Sequence, residues 1–225
     1  MTLHTLQTVV TARYGVLGET AEVREVWVAL HGYGQLAAYF GRHLRVAERP
    51  GRLIVVPEAP SRFYLDGGPD GRYERVGATW ATRAMRDADV EAAVAYLDDV
   101  LVAATARADV DLAAVPLAGL GFSQGAGMLM RWADRSPLLG RRPRRLHRTI
   151  LWGGGVPPDV ALDQPWVRDA GVAVVAGTRD PIATPARMAD ETARLAAAGV
   201  PFTPVTFDGE HRMNADVLAG LAGPL

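Results

Sequence analysis

The chain has 225 residues, 49% of them apolar and 22% charged, with a formal net charge of -1 and a pI near 6.5. This makeup suits one soluble domain spanning 1–225, with enough core to fold alone and no whole-molecule field to draw nucleic acid or an anionic membrane. Cysteine and lysine are both absent, which excludes disulfides, thiolate metal sites, cysteine nucleophiles, Schiff bases and serine–lysine dyads.

From the start, Leu6–Val10 and Ala12–Val16 suggest a leading hairpin. The first fifteen residues lack a basic segment followed by a continuous apolar one, so no signal peptide is expected. Val26–Gly41 is broken by His31, Gln35 and several glycines and does not read as a membrane span. A cytoplasmic protein without stable membrane insertion is the expectation. Apolar runs of strand length follow at Val26–Leu30, Leu53–Val56, Val115–Phe122, Thr149–Trp152, Val172–Ala176 and Pro204–Phe207. Their near-continuous apolarity suits strands covered on both faces, as in a parallel sheet. Helical patterns lie between them: Asp87–Arg107, with acidic residues in its first turn, Gly125–Trp132, and Pro185–Ala198, closed by Gly199. The alternation is that of an α/β fold with a mostly parallel central sheet and helices on both faces, whose chemistry gathers at the strands' carboxyl ends.

Gly121-Phe122-Ser123-Gln124-Gly125 joins an apolar strand to a helix. Such a sharp turn strains the serine backbone and lifts the hydroxyl above the sheet, while the glycines avoid clashes and the amide of Gln124 points its dipole at a developing oxyanion. The other serines, Ser61 and Ser136, lie in no such turn. A serine nucleophile needs a histidine base, oriented by a carboxylate. His211, in the turn Asp208–His211 after the last strand, is the candidate base. Asp180, in the turn Gly177–Pro181, is the candidate acid, and serine–aspartate–histidine is the chain order of α/β-hydrolases. The turn His31-Gly32-Tyr33-Gly34 after the first core strand suggests the amide of Tyr33 as a second oxyanion donor, with His31 bracing the loop. The glycines 121, 125 and 127 also suggest a dinucleotide turn, but they stand mid-chain and the Tyr-x-x-x-Lys pair of such dehydrogenases is impossible without lysine.

HGYG near residue 31, VPEAP at 56–60, GFSQGAG at 121–127, GTRDPIATP at 177–185 and GEH at 209–211 together resemble the phospholipase/carboxylesterase family of small α/β-hydrolases, which includes acyl-protein thioesterases. The resemblance implies the α/β-hydrolase fold, with Ser123, Asp180 and His211 as triad, Tyr33 and Gln124 as oxyanion donors, and no cofactor or metal. It departs at Gln35, where many members carry an acidic residue, and at Leu151-Trp152-Gly153, where many carry Leu-Ser-Gly. Gly77–Trp80 looks like the tryptophan segment of bacterial members.

Aromatics cluster after the first two core strands, among them Tyr33, Phe63, Tyr64, Tyr73 and Trp80. Tyr64 and Trp80 are the candidate substrate contacts, with loop packing as the alternative. Arg62, Arg72, Arg75 and Arg83 in the same region are either solvated or placed to meet a substrate anion. Arg141–Arg145 with Arg148 forms a basic loop, which in a near-neutral chain is not read as a nucleic-acid surface. The partner expected is a small ester. A homodimer is compatible with the sequence but unsupported by it, and an inactive scaffold that binds a small molecule is the rival to an enzyme.

Overall fold

In the computed structural model, which describes residues 1–18, 22–66 and 73–223, the apolar runs fall in six strands of a seven-stranded sheet, the last of them at its edge. The chain enters with β1 (Tyr14–Leu17), β2 (Glu25–Leu30), α1 (Ala37–Leu44) and β3 (Arg52–Pro57). A two-stranded sheet follows, β4 (Ser61–Tyr64) with β5 (Val76–Thr79), then α2 (Arg86–Arg107) and β6 (Leu117–Phe122). The second half runs α3 (Gln124–Arg135), α4 (Pro137–Gly140), β7 (Arg148–Trp152), α5 (Pro165–Asp169) and β8 (Val172–Gly177). It ends with α6 (Pro185–Ala197), β9 (Phe202–Phe207) and α7 (Ala215–Leu221).

The large sheet has the order β1-β3-β2-β6-β7-β8-β9, with β1 antiparallel to β3 and every other pairing parallel. Alternation along each strand serves two cores. Val26, Val28 and Leu30 of β2 join the core built with α2, α3 and α6, while Trp27 and Ala29 join the one built with α1 and α7. Burial on both faces is why the central strands read as unbroken apolar runs. From β2 the chain moves outward to β3, then crosses back to place β6 on the other side of β2. The order therefore reverses between β2 and β6, and a crevice opens beyond their carboxyl ends.

The leading hairpin does not form. Residues 1–13 carry no strand, and Leu3, Leu6, Val9 and Val10 are exposed. Two short strands alone are marginal in water, whereas the free edge of β3 offers Tyr14–Leu17 a partner buried on one side. The basic loop is tied to the protein's own backbone. Arg142 donates to the carbonyls of Leu112 and Val115, Arg144 to that of Asp169, and Arg145 to those of Ala133 and Asp134. Among the described residues, no helix is long and apolar enough to cross a membrane.

One buried cation closes the far end of the molecule. Arg52 is fully buried, donates from Nε to Glu25 at 2.7 Å, and reaches the carbonyls of Ala47 at 2.6 Å and Ala222 at 2.8 Å. Its guanidinium also stacks 4.4 Å from the Trp27 ring centroid. Removing one member of a buried pair strands the other's charge, so Arg52→Ala should lower stability by about 3–5 kcal/mol in urea unfolding, with the C-terminal segment the first to loosen in hydrogen exchange.

Candidate active site

Ser123 stands at the reversal point, between the end of β6 and the start of α3. Its backbone is at φ 54° and ψ -116°, in the left-handed half of the map, and its amide donates to the Trp152 carbonyl at 2.7 Å. The flanking glycines are required by crowding. A Cβ on Gly125 would stand 2.2 Å from the Leu30 carbonyl oxygen, and one on Gly121 would stand 2.4 Å from that of Gly125. The turn is thus wedged between its own helix and the end of β2.

Ser123 Oγ lies 2.8 Å from His211 Nε2, and His211 Nδ1 lies 2.7 Å from Asp180 Oδ2. The three residues that sequence order suggested as a triad therefore form one hydrogen-bonded chain. Asp180 is buried, and its other oxygen accepts from the amides of Ile182 at 2.8 Å and Ala183 at 2.7 Å. Both carboxylate oxygens are held, which fixes the side chain. His211 rides on a loop clamped from three sides: Trp152 Nε1 donates to the Arg212 carbonyl at 3.0 Å, the Arg179 amide to the Gly209 carbonyl at 2.9 Å, and Arg179 pairs with Asp208. The imidazole packs 4.9 Å from the Phe122 ring and against Gly153, where a Cβ would stand 2.8 Å from His211 Cε1.

The turn after β2 lies directly over Ser123. A Cβ on Gly32 would meet Ser123 Cβ at 3.2 Å. Beneath it, His31 is fully buried, with Nδ1 2.8 Å from the Gly32 carbonyl and Nε2 accepting from the Ala59 amide at 3.0 Å. These partners set a neutral tautomer protonated on Nδ1. Gln35 accepts from the Gly32 amide at 2.8 Å, and the Trp80 indole donates to the His31 carbonyl at 2.8 Å. The Gln124 side chain is pinned in turn, accepting from the Trp80 amide at 3.1 Å and donating to the Ala81 carbonyl at 2.9 Å. The amides of Tyr33 and Gln124 donate to no protein acceptor among the described residues.

The two candidate substrate contacts part company. Trp80 is buried against His31, ring centroids 5.1 Å apart, and braces the turn. Tyr64 is exposed on β4 with its ring against Tyr73, and no hydrogen bond or ring contact joins it to Ser123 or His211. Phe63, the next residue inward, faces Tyr33 instead, at 5.1 Å. Arg72 lies outside the described residues. Gln35, Thr79 and Gly153 were not singled out from sequence. Gln35 carried a signal as a departure from the resembled family's acidic residue, and Gly153 as the first glycine after a strand, where it sits at φ 60°.

The buried imidazole of His31 gives a pH test. Burial holds its pKa below 6.5, outweighing the bond to the Gly32 carbonyl and the nearby Glu58 carboxylate. The unfolded chain then binds the proton that the folded chain refuses, so this contribution to stability is complete above 6.5 and declines as pH falls below it. Urea unfolding between about pH 7 and 5 should show stability falling with acid, and His31→Gln should flatten that slope while lowering stability throughout.

No family model and no curated protein matches the sequence. Solved structures do match over nearly the whole chain. Acyl-protein thioesterase 2 of Zea mays superposes with a TM-score of 0.70 at 18% identity, covering 94% of this chain and 96% of its own. A carboxylesterase from Mesorhizobium loti gives 0.68 at 20% identity, covering 98% and 99%. Esterase PE8 gives 0.64 at 23% identity, covering 95% and 97%. With its mostly parallel seven-stranded sheet and enclosing helices, this chain has the α/β-hydrolase fold of those esterase and thioesterase structures.

Proposed function

We propose that this protein is a serine hydrolase of carboxylic esters that works through an acyl-enzyme. The observation that carries the reading is the unbroken hydrogen-bonded chain from Ser123 Oγ through His211 to Asp180. His211 Nε2 removes the hydroxyl proton as Oγ attacks the ester carbonyl carbon. Charge on the carbonyl oxygen is met by the free amides of Tyr33 and Gln124, the latter at the positive end of α3. His211 then passes the proton to the departing alkoxide or thiolate. Water, deprotonated by the same nitrogen, attacks the acyl-enzyme and releases the acid. Asp180 holds Nδ1–H and stabilises the imidazolium without taking the proton. These residues supply every step, so the proposed reaction uses no cofactor. Oxygen esters, thioesters and lysophospholipids share the carbonyl that this arrangement would attack, and the fold neighbours named as esterases and a thioesterase are compatible with that range.

A fluorophosphonate probe should label Ser123, and Ser123→Ala should lose both labelling and hydrolysis of p-nitrophenyl butyrate. Asp180→Asn should leave KM within a few-fold and lower kcat by about 10⁴, because the imidazole then takes the wrong tautomer. A wild-type chain that resists the probe, as an inactive binding scaffold would, or a fully active Ser123→Ala, overturns the reading.

A further inference from the structure

Immediately beyond Gln124 the surface dips into a hollow of about 310 Å³, between α3, the start of α2 and the turn 80–83. Trp80, Val90 and Met128 give it an apolar floor, and Arg83, Arg86 and Arg131 stand around it. Gln124 belongs to both places. Its side chain lines the hollow, while its amide opens α3 one residue after Ser123.

Charge on this rim is unbalanced. Asp159 accepts from Arg131 through Nε at 2.8 Å and a terminal nitrogen at 2.7 Å, from Arg86 at 3.1 Å and from Arg135 at 2.5 Å. Three guanidiniums share one carboxylate, and the Arg131 hydrogen bond leads in pulling its pKa down to about 2. A second carboxylate at this edge, Asp89, accepts from the amide and hydroxyl of Thr82, and Asp87 stands in the same first turn of α2, so the carboxylates here are still fewer than the four guanidiniums. Arg83 is exposed and makes no hydrogen bond or ion pair among the described residues. A purely structural role, α3 holding the loop at Asp159, accounts for Arg131 and Arg135. It leaves unexplained why Arg86 joins a carboxylate already doubly paired and why Arg83 stands beside it unpaired.

Cations in excess around a small apolar floor match one ligand chemistry, a short aliphatic arm ending in an anion. We propose that this hollow is a specificity subsite for a carboxylate or phosphate carried by the ester substrate, with Arg83 its principal free cation. The proposal rests on the esterase reading above and adds the substrate class. The anion would also raise the encounter rate, since a positive rim beside the nucleophile steers anionic esters toward it.

Two matched pairs of esters test it. Mono-p-nitrophenyl adipate against p-nitrophenyl hexanoate places a carboxylate on the acyl side. Butanoyloxyethyl phosphate against ethylene glycol monobutanoate places a phosphate on the alcohol side. In at least one pair the anionic ester should have a kcat/KM about ten-fold or more above its neutral partner, mainly through KM. That ratio should fall to one or below in Arg83→Glu, at an exposed position that makes no bond to the Asp159 cluster. It should also shrink as salt screens the rim. Ratios at or below one in both pairs, or a ratio unmoved by Arg83→Glu, overturn the subsite. Failure of the esterase reading shows separately, as no turnover of any ester. Calorimetry on Ser123→Ala then decides the subsite by binding alone. Monomethyl adipate should bind at least ten-fold tighter than methyl hexanoate, and adding Arg83→Glu should remove the difference, whereas equal affinities refute it.

Discussion

The backbone of Ser123 is held at φ 54°, a conformation that costs an L-residue about 1–3 kcal/mol and persists only where its surroundings over-determine it. Those surroundings are the site itself. The Trp152 carbonyl takes the Ser123 amide from one side, and the end of β2 presses on Gly125 from the other. Relaxing the turn would break the first contact and drive α3 into the second. The same strain aims the hydroxyl at His211 Nε2. Sheet order, the crowding at residues 121 and 125, and the direction of one hydroxyl are therefore a single constraint seen at three scales.

Two histidines lie close to this turn and are made into different groups by their neighbours. His31 is sealed from water, and each nitrogen faces a backbone partner, so a proton taken from a substrate has nowhere to sit. His211 is part-buried and meets a carboxylate on one nitrogen and a hydroxyl on the other. Burial among backbone partners disfavours a charged imidazole at His31. Only His211 therefore has the partners that the proposed proton transfer needs, and His31 serves as a strut.

Local pattern carried most of the sheet and the long helices, since a strand covered on both faces must be apolar throughout and its ends must carry turn residues. It failed where stability comes from a distant partner. Helix α1 has no capping side chain of its own; Glu58, twenty-one residues on, accepts from the Ala37 amide at 3.1 Å and supplies the cap. In the same way Tyr14–Leu17 becomes a strand because β3 has a free edge, not because of its own alternation. At the site, Ser123, Asp180 and His211 could be read as candidates because each lies in a turn within a few residues of a strand end. The role of Gln35 could not be read, because an amide that accepts from Gly32 looks in sequence like any polar loop residue. Trp80 was legible only in part: an aromatic near a site reads as a pocket wall, and its bond to the His31 carbonyl makes it a brace as well.

Gln124 joins the reacting centre to whatever lies beside it. Its side chain is fixed by Thr79, Trp80 and Ala81, so the amide one bond away from Ser123 is aimed by the same segment that floors the adjoining hollow. A ligand group entering that hollow would press on Trp80 and the turn 80–83, and through the Gln124 side chain on the proposed oxyanion donor. Binding energy gathered away from the ester carbonyl can then appear at the transition state, provided the hollow fills only when the carbonyl is seated between Tyr33 and Gln124. On the proposed mechanism a change in the 80–83 turn would alter kcat as well as KM, because Trp80 and Ala81 are hydrogen-bonded to the Gln124 side chain, whose own backbone amide is the proposed oxyanion donor.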